Sequence, residues 1–226
     1  MKMKAILGLT LLSLTLSACK SSDEQIQKWV ENNPDKILQV LMDYQRKQQE
    51  ANMPKPEDVT NNAAALFEHA ESPTRGSGAI KIAYFFDFNC GHCARQSETI
   101  KAVLAKNSNV QIIYKNLAVL GPSSELAARA ALAAHQQGKY NEYYTELYKI
   151  REKNETTLKD LARKLKLDVA KWEKDINGEA VEKEIQHVKE LAGKMKISGT
   201  PALAIAPDKI FAGRVDHLQQ IVDSIK

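Results

Sequence analysis

Ile80-Lys81-Ile82-Ala83-Tyr84-Phe85-Phe86-Asp87-Phe88-Asn89-Cys90-Gly91-His92-Cys93 is the stretch on which the fold of this chain turns. Residues 79–88 are apolar apart from Lys81 and Asp87, the pattern of a central strand buried on both faces. Beyond Cys90, Ile100, Val103 and Leu104 recur at helical spacing through about Lys106. The two thiols therefore fall on the first turn of a helix that follows directly from a buried strand.

That position has chemical consequences. A thiolate is the attacking species in disulfide exchange, and a helix N-terminus offers it unsatisfied N–H groups and the positive end of the dipole. Cys90 is expected to ionise easily and attack. Cys93 lies one helical turn on, close enough to close a disulfide and release a trapped mixed disulfide. His92 sits between them, where an imidazole stabilises the thiolate and favours the reduced form. A structural disulfide, half of a zinc site and a pair of inert buried thiols are the competing readings. Structural zinc wants four Cys or His ligands, and the chain has no second CxxC and no His pair at metal spacing. His69, His135, His187 and His217 are scattered and expected to be exposed or capping. Neither a metal nor any cofactor beyond a redox-active Cys90–Cys93 disulfide is expected.

The N-terminus reads as an export signal over residues 1–18, with Lys2 and Lys4 ahead of an apolar stretch at 5–16. That stretch is shorter than the roughly 20 apolar residues of a membrane span. Leu16-Ser17-Ala18-Cys19 resembles a bacterial lipobox, so Cys19 is the expected lipidation site, an acylated membrane anchor. Ordinary cleavage leaving a free Cys19 thiol is the alternative. Lys20, where lipoproteins retained in the inner membrane tend to carry Asp, favours the outer membrane, facing the periplasm. In such an oxidising compartment a CxxC has redox work to do. The 32 basic and 28 acidic residues become 30 and 28 without Lys2 and Lys4, a mature charge of +2 that gives no indication of nucleic-acid binding.

A capping-box spacing at Ser22 and Gln25 predicts a helix to about Glu31, and Asn33-Pro34 predicts the start of a second. Ile37, Leu38, Val40, Leu41 and Tyr44 form an apolar stripe on that second helix. Met53-Pro54-Lys55-Pro56 then reads as a linker, so residues 19–57 are expected to be a separate helical tether or dimerisation element. Beyond it come a short helix near 58–69, a turn at Gly76-Ser77-Gly78, the strand at 79–88 and the helix of the thiols. A strand at 110–117, a helical insertion at about 123–195, short strands at 201–206 and 210–215 and a closing helix complete the pattern. Tyr140, Tyr143 and Tyr144 are assigned to the core. This order specifies an α/β domain over 58–226 with helices spliced into it.

Phe85-Phe86-Asp87-Phe88-Asn89-Cys90-Gly91-His92-Cys93, Tyr114-Lys115, Leu120-Gly121-Pro122-Ser123, Gly138-Lys139-Tyr140 and Gly199-Thr200-Pro201 together resemble the DsbA family of thiol-disulfide oxidoreductases, and within it the Com1-like lipoprotein branch. The resemblance spans roughly residues 62–226. It implies a thioredoxin fold with an inserted helical subdomain, and it assigns the attacking and resolving roles to Cys90 and Cys93. It also implies a cis Pro201 packed against the dithiol, with Thr200 and Pro201 binding an extended polypeptide substrate. One position departs from the pattern: many relatives carry a buried carboxylate six residues before the first cysteine, where this chain has Tyr84. The proton-accepting role of that acid is left unfilled, and Asp87, on the opposite strand face by period-2 alternation, is not assigned to it.

The expected function is disulfide formation or isomerisation in exported proteins, with a membrane redox partner to restore the site. His92 favours oxidising power, whereas Thr200 and a dimerising N-terminus suit isomerisation. The competing class is a surface-anchored binding or structural lipoprotein on a thioredoxin scaffold.

Overall fold

The computed structural model describes residues 18–225, with side chains from 22 onward. Residues 1–17 of the signal segment and the Cys19 side chain lie outside the described residues. The chain divides into two compact units at Asn52/Met53.

The first unit is a pair of helices, α1 (Ala18–Asn32) and α2 (Pro34–Asn52). Since α1 already runs from Ala18, Ser22 lies inside the helix and is not its cap, a correction to the expected start. The Asn33 carbonyl accepts from the Ile37 N–H, and Pro34 takes the first helical position, where its missing N–H costs nothing. Of the apolar stripe, Ile37 is half-buried while Leu38, Val40, Leu41 and Tyr44 are more than half exposed.

The second unit is built on a five-stranded sheet of order β1-β3-β2-β4-β5. Two short helices, α3 (Pro56–Asn61) and α4 (Ala63–Phe67), stand where one was expected. Then come β1 (Thr74–Gly76), β2 (Ile80–Phe86), α5 (Gly91–Lys106) and β3 (Val110–Asn116). The insertion is α6 (Pro122–His135), α7 (Tyr140–Leu147), α8 (Glu155–Lys164), α9 (Val169–Ile176) and α10 (Glu179–Lys194). β4 (Ala202–Ile205), β5 (Lys209–Ala212) and α11 (Leu218–Ser224) close the unit. β2 and β3 are parallel; the other pairings are antiparallel. No helix among the described residues is long and apolar enough to cross a membrane.

β1 was not expected, because Gly76 and Gly78 suggested only a turn. Both glycines lie against the Asn109–Val110 backbone, where a Cβ on either would meet main-chain atoms at about 2 Å. The glycines thus let the chain pass close enough for β1 to pair with the edge of β3. β5 ends at Ala212, three residues short of the expected 215, because Gly213 takes a positive φ of 105°.

The alternation of β2 divides the core. Ile80, Ile82, Tyr84 and Phe86 face α5, α11 and most of the insertion, while Ala83 and Phe85 face α3, α4 and the far half of α10. Tyr140, Tyr143 and Tyr144 are core residues, as expected. Trp172 is buried too, its indole N–H donating to the Ala130 carbonyl at 2.9 Å.

A polar cluster is set into the second core. Lys115 Nζ donates to the Ala65 carbonyl and to Ser72 Oγ, both at 2.8 Å, and Ser72 donates to Glu184 at 2.7 Å. His69 and His187 stack 3.7 Å apart, with His69 Nδ1 3.2 Å from the Glu184 carboxylate. These two histidines are thus neither free on the surface nor capping, contrary to expectation. Burial pushes Glu184 up to about 7; burial and then the Lys115 charge push His187 down to about 4.

Their pH effects have opposite signs. Unfolded His187 protonates near its ordinary value of about 6.5, whereas the folded residue resists until about 4, so it removes stability as pH falls through that window. Folded Glu184 holds a proton below about 7, which the unfolded residue releases above about 4.3; it adds stability as pH falls. Between about pH 7 and 5, discounted for partial solvent screening, His187→Asn should gain about 1–2 kcal/mol relative to wild type on acidification and Glu184→Gln should lose as much. Urea unfolding at the two pH values measures both slopes.

Candidate active site

The dithiol lies where β2 ends and α5 begins. The Cys90 N–H donates to the Asp87 carbonyl at 3.1 Å, closing the turn, and Cys90 caps α5 in an extended conformation. Both thiols are free, but their surroundings differ: Cys90 is partly exposed and Cys93 is fully buried. The Cys90 thiol lies 3.4 Å from the Thr200 carbonyl, so residues 110 positions apart meet at the sulfur. The Thr200–Pro201 and Ala206–Pro207 peptide bonds are both cis.

Partial burial opposes ionisation of Cys90. Hydrogen bonds from the Cys93 thiol and N–H, from Thr200 and from the His92 N–H outweigh it, so its pKa lies below that of an ordinary cysteine. Cys93 behaves oppositely: burial dominates and pushes its thiol up to about 12. One thiol is thus prepared to be a thiolate and its neighbour to keep its proton. The His92 ring is exposed, its Nδ1 3.0 Å from the Arg95 guanidinium, so its contact with Cys90 is made by the backbone N–H. Among the described residues, no group of three or more His, Cys, Asp and Glu is placed to hold a metal.

Sequence reasoning missed what holds this turn in place. Asp87 is buried, and its carboxylate accepts on both oxygens: Oδ1 from the Asn89 N–H (2.7 Å) and Ser124 Oγ (2.8 Å), Oδ2 from the N–H groups of Val119 (2.9 Å) and Leu120 (3.0 Å). Asn89 adds side-chain bonds to Ser123 and Ser124, each at 2.9 Å. The turn before Cys90, the loop after β3 and the start of α6 are therefore tied to one carboxylate. An aspartate inside an aromatic run was the available signal, since such a charge needs partners wherever it is buried. Gln96 plays a comparable part on α5, accepting from the Val215 N–H at 2.7 Å and donating to its carbonyl at 3.3 Å.

Asp87→Asn keeps the shape but replaces an acceptor oxygen by a donor, leaving part of this donor set unpaired. It should cost about 2 kcal/mol in urea unfolding. Amide exchange at Val119 and Leu120 should accelerate with it, which separates loosening of this loop from a general loss of stability.

The family model of the DSBA-like thioredoxin domain matches residues 81–225. Among solved structures, the chain is similar to a thioredoxin-like oxidoreductase from Silicibacter pomeroyi DSS-3, with 32% identity over 73% of this chain and 97% of that one and a TM-score of 0.69. The thiol-disulfide exchange protein alpha-DsbA2 from Wolbachia pipientis shares the fold at 23% identity, covering 76% of this chain and 95% of its own with a TM-score of 0.70. Proteus mirabilis ScsC in a transitional conformation does so at 23% identity and a TM-score of 0.66, over 93% of this chain and 94% of that one. No curated protein matches by sequence. The matched residues take in the sheet from β2 onward, the dithiol helix and the whole insertion, and the chain belongs to the DSBA-like thioredoxin domain family of thiol-disulfide oxidoreductases.

Proposed function

We propose that the protein forms and isomerises disulfide bonds in exported proteins by exchange at Cys90 and Cys93. The observation that carries this reading is the asymmetry of the two thiols on one helical turn: Cys90 partly exposed and favoured as thiolate, Cys93 buried and protonated. In the oxidising direction a client thiolate attacks Cys90 of the disulfide and Cys93 leaves. In isomerisation the Cys90 thiolate opens a wrong client disulfide, and another client thiol displaces it. Thr200 and Pro201, beside the Cys90 sulfur, are the proposed seat of the client's extended backbone, with Thr200 offering main-chain hydrogen bonds.

Alkylation rates against pH should give Cys90 an apparent pKa below the roughly 8.5 of a free cysteine, and leave Cys93 nearly unreactive until strongly alkaline pH. Cys90→Ser should abolish insulin reduction, whereas Cys93→Ser should accumulate mixed disulfides on non-reducing gels. Equal reactivity at the two positions would overturn the assignment.

The cellular setting is part of the proposal: a lipid on Cys19 anchoring the protein to the outer membrane on its periplasmic side, a membrane redox partner, and a homodimer formed through the N-terminal helices. The dimer rests on the apolar side chains that α1 and α2 leave more than half exposed, among them Ile26, Val40, Met42 and Tyr44. Two facing dithiols favour isomerisation, since one protomer can hold a client while the other attacks. Deleting residues 22–52 should yield a monomer that keeps oxidase activity and loses most isomerase activity. Analytical ultracentrifugation and refolding of a scrambled disulfide substrate check the two halves of that outcome.

A further inference from the structure

The Thr200–Pro201 edge beside Cys90 is carried by a short, irregular stretch of chain. Ser198 and Gly199 ahead of it are exposed and outside regular structure, and Pro201 has no N–H of its own to anchor it. What fixes the edge follows it in the chain. β4 begins at Ala202, which pairs with both β2 and β5 and so ties the edge to the sheet. The Pro201 carbonyl accepts from the Gly213 N–H at 2.8 Å, just past the end of β5, where Gly213 takes its positive φ.

Two residues beyond Gly213 the chain meets the dithiol helix. Val215 lies in the irregular segment between β5 and α11, and the Gln96 amide engages both its main-chain groups, accepting from its N–H at 2.7 Å and donating to its carbonyl at 3.3 Å. Gln96 has no exposed surface, on a helix whose other inward residues are Cys93, Ile100 and Val103. An aliphatic side chain would fill that place without the cost of burying an amide. Apolar packing is not directional, however, and would leave the segment free to slide against α5. The amide holds one register. A closed ring of contacts results: from Cys90 along α5 to Gln96, across to Val215, back through Gly213 to Pro201, and from Thr200 to the Cys90 sulfur at 3.4 Å.

We propose that Gln96 is a positioning residue for client docking: it sets the distance between the Thr200–Pro201 edge and the Cys90 sulfur, so that an extended polypeptide bound on the edge presents its own sulfur to Cys90. The inference rests on the exchange reading proposed above. Gln96 itself touches neither client nor sulfur. A reactant with a backbone must satisfy the edge and the sulfur at once, whereas a small dithiol need meet only the sulfur. Misplacement of the edge therefore penalises the polypeptide selectively, and a shift on the order of 1 Å is enough to cost up to about a hundredfold.

Reduction of the Cys90–Cys93 disulfide of the full chain by a fluorescent extended peptide carrying two cysteines, and separately by dithiothreitol, gives two second-order rates whose ratio reports docking apart from sulfur reactivity. Gln96→Met, of similar length but without an amide, should lower the peptide-to-dithiothreitol ratio on the order of tenfold. It should also accelerate amide exchange at Gly213, which Gln96 does not touch, relative to exchange at Tyr84 in β2. Gln96→Glu keeps an acceptor for the Val215 N–H and loses the donor to its carbonyl, so its ratio should fall between those of wild type and Gln96→Met; it carries the comparison should Gln96→Met fail to fold. Lower stability with a wild-type ratio would make Gln96 a structural residue only and overturn the proposal, as would Gly213 exchange that stays at the wild-type rate. A wild-type disulfide that dithiothreitol reduces but the peptide does not would instead sink the exchange reading itself.

Discussion

Burial of β2 on both faces is the constraint from which the rest follows. Six of its seven residues are buried, so the strand cannot shift register without forcing one core into the space of the other. A strand fixed in this way ends at a defined place, and the redox turn is built on that end. Asp87 is the first residue past β2 and the first charge the chain must bury there. Its satisfied carboxylate fixes the turn to the loop after β3 and to the start of α6.

The chemistry follows from how unevenly that turn is solvated. Cys90 and Cys93 are three residues apart, yet one lies at the rim of the fold and the other beneath it. Were both exposed, their proton affinities would be alike and neither role would be set. Burying only Cys93 makes it the thiol that holds its proton, while hydrogen bonds converge on Cys90. Which thiol would attack in the proposed exchange is thereby set by packing, through the residues that cover Cys93.

Much of this was legible in the sequence, and the boundary of what was not has physical causes. The apolar run of β2 and the helical spacing after Cys90 depend on local pattern alone, and both elements appeared within one or two residues of their expected bounds. β1 depends on a close approach of Gly76 and Gly78 to the Asn109–Val110 backbone, a contact between segments that no local pattern records. The stacking of His69 on His187 and their meeting with Lys115 and Glu184 are likewise long-range: period and propensity assigned each residue to its element but could not bring the elements together. Of the site, Cys90, Cys93, Thr200 and Pro201 could be picked out individually, but the convergence of four donors on Asp87 belongs to the tertiary structure. The contact of the His92 ring with Arg95 rather than with the thiols is of the same kind.

The insertion has a consequence for the order in which the chain can assemble. β2 and β3 are near neighbours in sequence, whereas β4 is separated from β3 by all of α6–α10. Closing so long a loop carries an entropic cost that local contacts do not meet. Packing of the insertion shortens that loop, so the pairing of β4 with β2, and with it the approach of Thr200 to Cys90, depends on α6–α10. Without that pairing Cys90 lacks its contact with Thr200, though the start of α5 already sets it apart from Cys93. The asymmetry of the two thiols is thus completed by a segment that lies beyond the whole insertion, and a chain cut short before β4 would carry the dithiol helix without the Thr200 contact.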